Sequence, residues 1–288
     1  MHPTLPVRLV LFAAAPLAAQ IVNPATQQPQ GQNPPQGEGQ PLRIEGRQVS
    51  ELREEDRVGS YGQPEWTTVR RFPETRVYVR PENTFGFEYW LLPEIAHGGK
   101  STTTATQYEF EVGLPGRVQI DWYIVSHEQG NQGPMQFDEQ KFEGRYALAD
   151  WDVIWGNPTV YLEWSAENNA ADHVETKLLL GGEICPSWHW GSNLVFEHET
   201  GGAQTNSYEW TGGVSKTLAD QRFSAGAEFK MAFADQQGDR GLHDMELLIG
   251  PSLQYRPVPR AHMDLAPLFG VNADSPQVKF YFVFGWEF

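Results

Sequence analysis

VKFYFVFGWEF, residues 278–288, closes the chain. Val278, Phe280, Phe282, Phe284, Trp286 and Phe288 occupy alternate positions, with Lys279, Tyr281, Val283, Gly285 and Glu287 between them. Side chains on a strand alternate between its two faces, so this stretch lays one continuous apolar stripe along one side of a sheet. The same period recurs upstream. Phe223, Ala225, Ala227, Phe229, Met231 and Phe233 oppose Arg222, Ser224, Gly226, Glu228, Lys230 and Ala232. Met245, Leu247, Ile249, Leu253 and Tyr255 oppose Glu246, Ser252 and Gln254, while Met263, Leu265 and Phe269 oppose Arg260, His262 and Asp264. One face is almost free of charge and the other carries ionisable groups at mid-strand. From Thr84 onward this pattern predicts about twelve strands, at 84–94, 103–113, 117–127, 140–150, 157–167, 173–184, 187–199, 205–217, 221–233, 243–255, 259–270 and 277–288.

A water-soluble sandwich also alternates, with its apolar face inside. Three features favour lipid outside instead. The segments run to about eleven residues, longer than a typical soluble strand and right for a tilted crossing of a bilayer. Aromatic residues gather at strand ends: Trp188, Trp190, Tyr208, Trp210, Tyr255 and Trp286 fit interfacial girdles. Connections alternate in length, with tight turns after Leu114, Cys185, Leu218 and Arg256 and longer polar loops at 130–139, 200–206 and 234–243. WDVIWG (151–156) is the long exception on the short-turn side, its two tryptophans placed at the interface. The expected fold is therefore all-β, a closed antiparallel up-and-down transmembrane β-barrel of about 12 strands spanning 84–288. An even strand number puts both barrel termini on one side, the periplasm.

The terminal Phe288, with Phe284 and Trp286 at alternate positions before it, resembles the C-terminal recognition signal of bacterial outer-membrane barrels. That resemblance implies the barrel-assembly machinery as a partner during biogenesis. Size and layout also resemble porin-like barrels assigned to transport in aromatic-compound pathways.

The N-terminal part is of another kind. Residues 9–19, LVLFAAAPLAA, follow Arg8 and are too short to span a bilayer, so 1–19 reads as a signal peptide. Residues 20–42 are Pro/Gln/Gly-rich and read as a disordered linker. Within 43–83, SELREEDR (50–57) is expected to form a short helix capped by Ser50. Residues 61–81 read as extended chain broken by Pro64, Pro73 and Pro81; this segment either packs in the periplasm or plugs a barrel mouth. The net charge of −16 argues against a nucleic-acid partner, because phosphate backbones need a basic face. One cysteine, Cys185, excludes an intrachain disulfide and a cysteine metal cluster.

HWGSN (189–193) resembles the H-x-S-N pattern of outer-membrane phospholipases, which implies a lipid hydrolase using His189. Three residues apart on a regular strand, His189 and Ser192 face opposite sides, so this pairing requires a bulge. The pairs His262/Asp264 and Glu197/Glu199 share faces, but no third metal ligand is apparent and no metal or cofactor is expected. The glycine pairs 181–182 and 212–213 lack the setting of a phosphate loop and read as kink glycines. The inward face is the better functional surface. Its acids include Glu109, Glu111, Asp121, Glu163, Glu197, Glu228, Glu246 and Asp264. Its bases include Arg145, Lys177, Arg222, Lys230 and Arg260, with His262 beside them. Acid outnumbers base on this face. Two readings follow: a narrow, acidic, cation-favouring passage for small solutes, or a salt-bridged barrel that does not conduct. In either case the expected partners are outer-membrane lipids and the expected state is a monomer.

Overall fold

The computed structural model describes residues 53–99, 101–128, 133–219 and 222–288. The expected signal peptide and linker lie outside the described residues, as does Ser50. Arg53–Asp56 form a turn, and Arg57–Val58 (β1) pairs with Gln63–Pro64 (β2) in a tiny ladder, so the described part of 50–57 is not helical. The turn at Gly59, with φ +64°, breaks the helical pattern that the charge spacing suggested. A short 3₁₀ turn, Glu65–Thr67, follows.

The rest is a barrel. Its strands are β3 (Phe85–Ile95), β4 (Thr102–Leu114), β5 (Val118–Glu128), β6 (Met135–Ala147), β7 (Thr159–Glu167), β8 (His173–Cys185), β9 (Trp188–Glu199), β10 (Asn206–Leu218), β11 (Phe223–Gln236), β12 (Asp239–Val258), β13 (Ala261–Gly270) and β14 (Val278–Glu287). Each pairs antiparallel with its sequence neighbours, and β14 pairs with β3 to close the ring. Closure leaves no edge strand and satisfies every ladder from within, which a lipid-embedded sheet requires. Among the described residues no helix is long and apolar enough to cross a membrane.

The sequence period sets the faces. On β5 the outward Ile120 and Trp122 are exposed, while Gln119, Asp121 and Tyr123 are buried. On β13 the outward Met263, Leu265 and Phe269 are exposed, while His262, Asp264 and Leu268 are buried. The outer wall is thus apolar and the inner wall polar, the reverse of a water-soluble barrel. In-register outward aromatics Trp286, Phe87, Phe110, Trp122, Phe142 and Trp164 form one row across β14 and β3–β7.

Three expectations are corrected. The fourth strand spans 135–147 rather than 140–150, which shortens the loop before it. The expected loop at 234–243 is mostly strand: β11 and β12 extend beyond the other strands to a turn at Gln237–Gly238, where Gly238 has φ +93°. Register shifts at Ala232/Ala234 and Ala234/Gln236 hid this extension from the period. Trp151 is not interfacial. It is buried and packs edge-on against Trp66 and Tyr78, leaving Trp155, 81% exposed, as the outward tryptophan of that turn.

Candidate functional site: a plugged lumen with an open vestibule

Residues 61–81 fill the end of the barrel that carries the short turns. Trp66 and Phe72 are 0% exposed, and Tyr61, Tyr78 and Val79 are buried with them. The seat for this segment is built from backbone. Gly181 on β8 pairs with Gly191 on β9, which pairs with Gly213 on β10, so three neighbouring inward positions lack side chains. A Cβ at Gly191 would lie 3.1 Å from the Thr75 methyl, and one at Gly213 2.6 Å from the Phe72 ring. One at Gly181 would overlap Val77. These are therefore docking glycines rather than kinks. Thr75 adds a 3.0 Å hydrogen bond to Thr211 beside them, and Tyr61 donates to the Leu114 carbonyl at 2.5 Å.

On the opposite side the segment presents arginines to the acidic wall. Alternation along Arg76–Val77–Tyr78–Val79–Arg80 sends Val77 to the glycine row and the two arginines to the carboxylates. Arg70 pairs with Glu88 at 2.9 Å and lies over the Trp90 ring at 4.1 Å. Arg76 pairs with Glu109 and, at 3.3 Å, with Glu111. Arg80 reaches Glu111 at 2.8 Å and Glu287 at 3.1 Å. The wall's own Arg145 pairs with Asp121 at 3.1 Å and with Glu143. His262 bonds Asp264 at 2.6 Å, and Gln254 donates to the same carboxylate at 2.8 Å. Glu228 accepts the Glu74 backbone N–H at 3.0 Å. Glu88, Glu109 and Glu111 bring oxygens close enough to share an ion, but arginines already occupy that position.

Above the segment, towards the longer loops, the lumen opens into a vestibule of about 210 Å³. Its wall carries lysines set among carboxylates. Lys141 lies 3.5 Å from Glu163, Lys177 2.8 Å from Glu175, and Lys230 2.8 Å from Glu209 and 3.2 Å from Glu74. Tyr161 donates to Glu163 at 2.6 Å and carries the Lys177 ammonium 4.5 Å from its ring centroid. Glu197 stands higher still, 3.3 Å from His173. Glu246, on β12 opposite Ala232, is half-buried.

The inward residues read from the sequence thus divide into two groups. Glu109, Glu111, Asp121, Arg145, Glu228, His262 and Asp264 lie in the buried network against the N-terminal segment. Glu163, Lys177, Glu197, Lys230 and Glu246 lie towards the vestibule. Arg222 and Arg260 are corrected: both are exposed in the turns before β11 and β13, beyond the ends of the inner wall. The period ran past the strand ends there. Sequence reasoning missed Arg70, Arg71, Arg76 and Arg80 as counter-charges. Their signal was a basic, apolar-alternating stretch preceding an acid-rich barrel.

The phospholipase-like pair does not assemble. His189 is buried inside, while Ser192 faces outward, accepts from the Trp210 indole at 2.9 Å and donates to the Thr211 carbonyl at 3.1 Å. At the C-terminus Phe288 N–H donates to Phe85 O at 3.0 Å, and Phe284, Trp286 and Phe288 lie on the outer face.

No family model matches the chain, and no curated protein matches it. Among solved structures it is similar to an outer membrane channel from Pseudomonas putida F1, with 10% identity, a TM-score of 0.49, and 74% of this chain and 98% of that one covered. The NanC porin gives 13% identity, a TM-score of 0.48, and 70% and 97% coverage. The KdgM porin gives 7% identity, a TM-score of 0.47, and 70% and 98% coverage. The chain's own hydrogen-bonded closure, apolar outer wall and charged interior define it as an outer-membrane-type β-barrel.

Proposed function

We propose that this chain is a Gram-negative outer-membrane channel for small solutes, closed in this conformation by its own residues 61–81. The supporting observation is the division of the lumen into a filled, arginine-neutralised half and an open vestibule. In this reading the short-turn mouth and both barrel termini face the periplasm, solute enters the vestibule from outside, and passage requires the N-terminal segment to shift. The vestibule retains carboxylates around its lysines, which favours cationic or neutral polar solutes over anions. A second reading, a barrel that never conducts, draws on the complete burial of Trp66 and Phe72.

Thr75 and Thr211 touch across the seat and suit a disulfide lock. The test is a planar-bilayer recording on T75C/T211C protein in a Cys185→Ser background. Conductance after reduction and silence after oxidation support the gated channel. Silence in both states supports the non-conducting barrel, and equal conductance in both refutes gating by this segment.

A further inference from the structure

We propose that His189, Glu183 and Glu54 bind a divalent transition-metal ion, with zinc the fitting case, that ties the N-terminal segment to the barrel wall at its short-turn mouth. His189 on β9 and Glu183 on β8 are direct cross-strand partners on the inner face, and Glu54 approaches from the N-terminal segment. His189 is 0% exposed, yet neither ring nitrogen has a hydrogen-bond partner. A buried imidazole with both nitrogens unbonded is costly and calls for a partner.

The geometry identifies that partner. Nε2 lies 3.5 Å from Glu183 Oε1 and 3.8 Å from Glu54 Oε1, too far for good hydrogen bonds. Zinc holds nitrogen and oxygen ligands at about 2.0–2.2 Å, so the edges of its tetrahedron measure about 3.4 Å. Each carboxylate already stands near that spacing from Nε2, but the two are farther from each other, so closing the shell requires Glu183 to swing towards Glu54 around the ion. Glu183, with its side chain 38% exposed at the end of β8, has the freedom to do so. The other parts are held. The His189 ring packs against Trp66 with centroids 4.5 Å apart, and Arg71 and Thr217 grip Glu54 Oε2, turning Oε1 to the imidazole. One imidazole and two carboxylates suit zinc better than magnesium, which prefers an all-oxygen shell. They leave a fourth position for water.

The test uses the full chain carrying Cys185→Ser, which removes the exposed thiol as a competing ligand. The refolded protein is stripped with chelator, dialysed against zinc salt alone and assayed for bound metal. One zinc per chain is expected, with an X-ray absorption spectrum of nitrogen and oxygen donors and no sulfur. Glu183→Gln and His189→Phe, the latter keeping a ring on Trp66, should each weaken binding at least tenfold. His127→Asn/His173→Asn, at the opposite rim, should not. Zinc should also slow tryptic cleavage within residues 70–80 of the parent, but not of Glu183→Gln. If His189→Phe loses heat-modifiable mobility, the half-exposed Glu183 variant decides. No zinc uptake, unchanged affinity in Glu183→Gln, or loss of the zinc in the rim variant instead would overturn the site.

Discussion

Phe72→Ala is the sharpest perturbation of the lumen. The ring is wholly buried over Gly213 and Gly191, and its removal leaves a void that the backbone seat cannot collapse to fill. Truncating a buried phenylalanine costs about 3–5 kcal/mol. The barrel's own ladders are untouched, so this loss falls mainly on the docking of residues 61–81. An opening equilibrium shifted by that amount raises the undocked fraction roughly 10²- to 10³-fold or more, at about 1.4 kcal/mol per tenfold. Trypsin reads this fraction directly, because Arg70, Arg71 and Arg76 are protected while docked. When reclosing outpaces cleavage, the cleavage rate follows the open population. The variant should therefore lose this segment to trypsin at least a hundredfold faster than wild type. Residues 84–288 should remain intact and heat-modifiable. Gly191→Ala, which overfills the same seat, should act in the same direction by about 1–3 kcal/mol. Equal cleavage of wild type and both variants would refute docking on the glycine row.

Arg76→Met should remove the counter-charge that Glu109 and Glu111 share, leaving Glu109 only Arg70 at 3.5 Å and Glu111 only Arg80, at up to about 3–5 kcal/mol, and a Glu109→Gln change in the same chain should restore part of the tryptic protection. Phe229→Lys, mid-strand on the outer face, should destabilise the barrel by about 2–4 kcal/mol in urea titrations from lipid vesicles, and Glu228→Asp on the inner face by much less. Deleting Phe288, or Phe288→Asp, should leave export intact but lower outer-membrane insertion, with Glu287→Gln milder; wild-type fractionation of the Phe288 variants would remove the assembly-signal reading.

Strand number, closure and facing were legible because they follow from period two. A one-residue slip exchanges every wall residue between lipid and lumen, so the pattern over Phe223–Phe233 or Val278–Phe288 allows one assignment. Legibility failed where the period carries no information. At strand ends it ran into Arg222 and Arg260, which are turn residues. Across the bulges at Ala232 and Ala234 it broke, and a hairpin looked like a loop. The glycine row was present in the text as Gly181-Gly182, Gly191 and Gly212-Gly213. Its meaning depends on register, because only cross-strand pairing places Gly181, Gly191 and Gly213 side by side. The carboxylates of the wall were visible in the strand pattern. Their partners lay in another segment, and no local rule links Arg76 to Glu109.

The chemistry chosen for that link bears on how the lumen would open. A well-packed apolar plug can be as stable as buried ion pairs, or more so, since bringing charges out of water offsets much of their attraction. Undocking an apolar plug would leave a dry wall that water enters only at a cost. Undocking this one exposes Glu88, Glu109, Glu111 and Asp121 to water that solvates them, while Arg70, Arg76 and Arg80 regain their own hydration. The same desolvation that weakens the docked state stabilises the opened one. The apolar contribution comes from Phe72 and Val77 over the glycine row and from Tyr61, Trp66, Tyr78 and Val79 in the cluster that includes Trp151. A segment held partly by apolar packing and partly by reversible ion pairs is suited to moving without unfolding the barrel. If Arg76→Met and Phe72→Ala raise tryptic cleavage and conductance together, the two effects share one motion. Cleavage that rises while conductance stays at zero would separate plug mobility from transport and favour the non-conducting barrel.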